Sequence, residues 1–247
     1  MNQPRQVARG TGIGPLYRML VQSLATRGRL LAMGALSFIL ILLAILVRSS
    51  AGLNRAHTAF NLIDSYGMSV LVPIVSLVFA SAALGDPAED GTLVYLWLRP
   101  LPRWQLALVA AGAALSISVP LAVLPVVAAA LISGVSGQLA LGAAAGALLA
   151  SVAYTAVFTG LGLRVRRALA WGLAYLVIWE QAVARVAKGA ARVSISVTSR
   201  TVVARIAHEA QLPRNAMSMP VAVLVPVAAA VLAIALTARS LNRGEIA

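Results

Sequence analysis

Six stretches of this chain are apolar over lengths that match a bilayer's hydrocarbon core, near residues 30–47, 68–84, 104–132, 138–163, 168–184 and 219–238. A helix rises about 1.5 Å per residue, so roughly 20 such residues cross a core of about 30 Å. Backbone N–H and C=O groups in lipid must be satisfied within the segment, so these runs are expected to be helices. Composition agrees. With 60% hydrophobic and 11% charged residues, a chain of 247 cannot build the charged shell of a soluble domain. The expected fold is an all-α integral membrane protein with six transmembrane helices, forming one transmembrane domain over residues 1–247. The first run follows a polar leader and is longer than the apolar core of a secretory signal, so it reads as a retained span.

Charge narrows the partners. The formal net charge is +13, and Lys188 is the one lysine among 20 basic residues. The arginines lie between the apolar runs, where anionic lipid headgroups are nearer than any nucleic acid. Six spans put both termini on one side. With the N-terminus cytoplasmic, twelve of the basic residues fall inside and eight outside. The short loop Arg164-Val165-Arg166-Arg167, set against the uncharged Ser133–Gly137, favours that placement. The chain has no cysteine, which excludes disulfides and thiolate metal sites. His57 and His208, its two histidines, are too few for a haem or metal centre.

Three of the seven acids crowd one connection, Asp86, Glu89 and Asp90, between the second and third runs. Asp86 is a good N-cap, Pro87 suits a first helical position, and Glu89 completes a capping-box spacing. Leu93, Val94, Leu96, Trp97 and Leu98 follow, and Pro100 ends the element. Pro102, Arg103 and Trp104 then open the third span with an interfacial aromatic. The expectation is a short helix over 86–98 lying along the inner face of the membrane. It could be a plain interfacial helix or a docking surface. Acids gain nothing from anionic inner-leaflet lipid, and so they favour a protein partner.

At these residues the sequence resembles the type-two ABC exporter permease family. Its signature of acids, Gly-Thr-Leu and a later proline and arginine stands here as Glu89-Asp90-Gly91-Thr92-Leu93, with Pro100 and Arg103 following. Val94 stands where that family commonly has glutamate, and no lysine follows at the start of the third span. The resemblance implies a membrane subunit of an ATP-driven exporter that pairs with a second permease subunit, identical or not. It also implies a separate cytoplasmic ATPase that supplies ATP and Mg, in a prokaryotic plasma membrane with both termini cytoplasmic. Asp86, Glu89, Asp90, Gly91, Thr92, Leu93, Trp97, Pro100 and Arg103 then become the coupling and ATPase-docking residues. An apolar path between subunits suits a hydrophobic or amphipathic substrate.

Other segments fit that layout. Residues 13–27 place Leu16, Met19, Leu20, Ser23 and Leu24 on one helical face, as expected for an in-plane helix that anchors to the membrane or contacts the ATPase. The stretch 185–218 is too polar to cross. Ser199 could cap a helix in it with Val202, Val203, Ile206 and Ala210 on one side and Arg205, His208 and Glu209 on the other. That reads as an external amphipathic cap or a solvated loop. Glu180 reads as the sole acid well inside a span, with an ion pair to Arg185 favoured over a transport role. Gly142 and Gly146 permit a close helix contact, and Pro120, Pro125 and Pro226 permit kinks.

Two enzyme readings fail. Gly134-Val135-Ser136-Gly137 resembles a rhomboid protease nucleophile motif, but the last span carries no histidine to act as its base. A P-loop needs Gly-Lys-Ser/Thr, and Lys188 follows Ala187, so the chain does not bind ATP through one. The chain is expected to be no enzyme and to hold no cofactor or metal. The competing class is an ATP-independent secondary transporter or channel, which usually keeps several ionisable groups at mid-membrane.

Overall fold

The computed structural model describes residues 13–49, 55–92, 102–183, 191–208 and 216–243. Among them every regular element is helical. In chain order these are α1 (Ile13–Leu24), α2 (Arg27–Ser49), α3 (Arg55–Glu89), α4 (Arg103–Ser133) and α5 (Gly137–Arg164). There follow α6 (Ala168–Tyr175, continued by Leu176–Val183), α7 (Ile195–Ile206) and α8 (Met219–Arg243). Five of them, α2, α3, α4, α5 and α8, are long and apolar enough to cross a membrane. The expected fifth crossing, 168–184, falls on α6, a shorter apolar helix over the described residues. Its described length is about 24 Å, less than a hydrocarbon core.

Contacts at the helix ends set the directions. Arg29 on α2 pairs with Asp86 on α3 at 2.9 Å, and Arg164 on α5 donates to Ser240 Oγ on α8 at 2.7 Å. The Arg167 backbone N–H, just before α6, donates to the Glu89 carboxylate at 3.0 Å. These meet at one end of the bundle, the acidic end. At the other end Arg48 donates to the Ile132 carbonyl at 3.1 Å. Helices α2 and α4 therefore run away from the acidic end, and α3, α5 and α8 run toward it.

Helix α3 is the centre of the bundle. Its sequence is apolar on all sides from Val72 to Gly85, the pattern of a helix covered all round, and nearly all of that stretch is buried. Its most extensive packing is on α5, where small residues bring the backbones together. A Cβ added at Gly85 would sit 3.2 Å from the Gly162 carbonyl, and Gly162 in turn packs on the Ser81 backbone. Helices α2 and α8 stay at the periphery and expose Leu31, Phe38 and Leu46, and Leu224, Val231 and Leu232. That outward apolar surface is what a lipid environment accommodates.

Among the described residues three wide π-helical stretches occur, at Ile63–Leu71 in α3, Val119–Val123 in α4 and Leu176–Val183 in α6. Two are tied to proline. Pro73 follows the first, while Pro120 and Pro125 lie in and after the second. A proline lacks the N–H of the regular ladder, and a wider turn lets neighbours bond five residues back. The N–H of Val72 accordingly reaches the Gly67 carbonyl, and that of Leu124 reaches Val119.

Two expectations about the amphipathic segments change. On α1 the buried stripe is Leu16, Leu20 and Leu24, while Met19 is 42% exposed. The i, i+4, i+8 row faces α4, and the Tyr17 hydroxyl bonds Ser116 on α4 at 2.5 Å, so α1 packs on protein. Helix α7 is capped by Ser194, whose Oγ accepts from the Val197 N–H at 3.2 Å, and not by Ser199. Nor is it a solvated loop: Ile195 to Thr201, Arg200 apart, and Val202 to Ala204 are buried. The Gly142/Gly146 pair makes this insertion possible. A Cβ at Gly142 would lie 2.8 Å from the Val203 carbonyl, and one at Gly146 would lie 2.9 Å from that of Ser199. Glu209 and Ala210 fall outside the described residues.

Candidate functional site

The acidic connection does not begin a helix. Helix α3 runs on through Asp86 and Pro87 to Glu89 and stops at Asp90–Gly91. The Asp90 N–H donates to the Asp86 carbonyl at 2.9 Å, and Gly91 takes a left-handed φ of 67° that ends the helix without a Cβ penalty. Asp86 is thus no N-cap. The three acids occupy a helix C-terminus, where the dipole disfavours negative charge.

Two of them have partners that offset this. Asp86 pairs with Arg29, a half-exposed ion pair contributing at most about 1 kcal/mol. Glu89 accepts the Arg167 N–H, at a residue itself in the left-handed region with φ 60°. Asp90 is exposed and has no ion pair among the described residues. Gly91 and Thr92 are exposed beside it, and the Thr92 hydroxyl donates to the Pro87 carbonyl at 3.3 Å. Arg103 opens α4 after an extended Pro102. Leu93, Trp97 and Pro100 lie outside the described residues.

The start of α4 stands proud of α2 at this end. The Ser37 hydroxyl on α2 donates to the Leu121 carbonyl on α4 at 2.5 Å, which fixes the register of two helices running the same way. Ser37 is about 15 Å along α2 from Arg27, and Leu121 is about 27 Å along α4 from Arg103. The start of α4 therefore projects about 12 Å beyond the start of α2. The end of α3 lies beside the start of α2, where Asp86 meets Arg29 at 2.9 Å.

A second polar locus lies inside the bundle. Glu180 is 2% exposed and accepts four hydrogen bonds. The Tyr175 hydroxyl donates at 3.1 Å, the Ser194 hydroxyl at 2.5 Å, and the N–H groups of Ile195 and Ser196 at 3.2 and 3.3 Å. The carboxylate thus seats on the N-terminus of α7, whose free N–H groups and dipole favour an anion. Arg185, the partner expected from the sequence, lies outside the described residues. Around it, Tyr154 stacks on Phe158 with ring centres 5.7 Å apart, and Phe158 meets Tyr175 edge-on.

Glu180 is not the sole buried acid among the described residues. Asp64 on α3 is 6% exposed and forms a two-pronged ion pair with Arg200 of α7. The apolar run was expected to begin at residue 68, so the polar turn before it was read as outside the span. Both carboxylates sit in π-helical stretches, and both bind α7, one at its first turn and one at its middle. Together they tie α7 to α3 and α6 in addition to its apolar packing on α5.

No protein-family model and no curated protein matches this chain.

Proposed function

We propose that the chain is the membrane-spanning subunit of an ATP-driven exporter, with its acidic end cytoplasmic and docked on a separate ATPase. The reading rests on one observation. The exposed acids Asp90 and Glu89 sit at the tip of α3, and α3 is the most deeply buried of the five long helices. A push on that tip is transmitted along a rigid helix into the centre of the bundle, and through its close packing into α5. ATP and Mg belong to the partner chain. ATP-driven closure of two ATPases would press two such tips and rock paired membrane subunits between inward- and outward-open states. The path between the subunits is apolar, which suits a hydrophobic or amphipathic substrate such as a lipid, drug or peptide. Both termini then lie on the cytoplasmic side of a prokaryotic plasma membrane.

A second reading, an ATP-independent carrier, draws on Asp64 and Glu180, since buried carboxylates serve ion-coupled transport. Asp64 is paired with Arg200 and Glu180 is held by four donors, a structural use that leaves neither oxygen pair open. The exporter reading therefore takes precedence. Asp90→Lys tests it without disturbing an internal contact. The variant is expected to fold and to lose at least about tenfold in affinity for the co-purifying ATPase, as a like-charge contact costs. Unchanged ATPase binding would remove the docking role.

A further inference from the structure

Two cavities of opposite character flank the end of α5, one against α8 and one against the end of α3. An apolar groove of about 350 Å³ runs between Val157 and Leu161 of α5 and Ala229 and Ala233 of α8. Beyond it, toward the acidic end, lies a polar cleft of about 200 Å³ that includes Glu89 and Arg166. Arg164 and Val165 line both. An apolar slot and a polar, basic cleft that share Arg164 and Val165 in their walls match the two ends of an amphiphile.

Charge selects among amphiphiles. Arg164 is held in place by neutral acceptors, Ser240 Oγ at 2.7 Å and the Leu236 carbonyl at 3.3 Å, and it has no carboxylate within ion-pair distance among the described residues. Its guanidinium is fixed with N–H groups to spare and its charge uncompensated, the condition for bidentate phosphate recognition. Arg166 adds a second exposed cation to the cleft. Glu89 is the single acid there, and it is engaged by the Arg167 N–H. The cleft therefore carries a net positive charge.

We propose that this composite site binds one anionic phospholipid, with an acyl chain in the α5/α8 groove and the phosphate on Arg164 and Arg166. The site borders the proposed docking tip through Glu89, but its lipid contacts, Arg164, Arg166 and the groove, do not rest on the ATPase reading. It makes occupancy of a lipid-facing groove depend on headgroup charge, and it places the lipid across the contact that joins α5 to the end of α8.

The test is native mass spectrometry of the full chain reconstituted in vesicles of equal parts phosphatidylglycerol and phosphatidylethanolamine. Phosphatidylglycerol should be retained in clear excess, and Arg164→Gln and Arg166→Gln should each lower that excess about fivefold. Arg164→Lys should keep most of it. Ala229→Phe fills the groove without altering charge and should reduce total bound lipid. Arg166 makes no hydrogen bond to hold the fold among the described residues, so its variant decides the matter if Arg164→Gln fails to assemble. Equal retention of the two lipids, or an excess unmoved by Arg166→Gln, would overturn the proposal. Displacement of the lipid by excess inorganic phosphate would overturn it as well, since the tail would then contribute nothing.

Discussion

Glu180→Gln preserves size and shape while removing one acceptor position, and the structure says what that costs. Each carboxylate oxygen takes one hydroxyl and one backbone N–H: Oε1 from Tyr175 and Ile195, Oε2 from Ser194 and Ser196. A glutamine must place its NH2 at one of these positions, facing a backbone N–H that cannot rotate away. The orphaned N–H is buried, which costs about 1–3 kcal/mol. Losing the negative charge at the first turn of α7 removes roughly 0.3–2 kcal/mol more. The expected loss is about 3 kcal/mol, or a fall of roughly 6–12 °C in the unfolding midpoint of a chain this size. Far-UV circular dichroism of the protein in mild detergent reads it directly. A glutamine variant that melts within about 1 °C of the parent would show that the carboxylate does not hold α7 in place.

Gly146→Ala should destabilise by about 1–3 kcal/mol, because its methyl meets Val203 Cγ2 at 2.5 Å and the Ser199 backbone. Gly112→Ala, with nothing within 4 Å, should be neutral or stabilising in the same melting assay. Asp64→Asn should cost about 3–5 kcal/mol by leaving Arg200 uncompensated, and Asp64→Leu combined with Arg200→Leu should recover most of that. An additive double variant would refute direct coupling. Gly91→Ala, at φ 67°, should cost about 1–2 kcal/mol and fray the tip of α3, seen as faster amide exchange at residues 86–90.

Long apolar runs were legible to within a few residues: 104–132 against Arg103–Ser133, and 138–163 against Gly137–Arg164. The second run was not, because Asp64 and its polar neighbours look like a loop until Arg200, far off in sequence, is seen to neutralise the acid. The Gly142/Gly146 pair announced a close contact but not its partner. Helix α7 misled by its polarity. Thr198 and Thr201 turn their hydroxyls back on the carbonyls of Ser194 and Val197, at 2.9 and 2.8 Å, so a hydroxyl-rich helix can be buried. At the acidic connection Asp-Pro-x-Glu spells a helix start. The apolar helix before it simply continues, and the deciding signal was Gly91, a C-terminal stop. The site residues beyond it, Leu93 to Pro100, are placed by the sequence alone.

The central claim is that the exposed acidic tip of α3 meets an ATPase. Native mass spectrometry of the assembly, purified in mild detergent from its own membrane, addresses that most directly. The account predicts a soluble P-loop ATPase bound one to each membrane chain. A chain recovered alone across several gentle detergents would contradict it and put the ATP-independent carrier first.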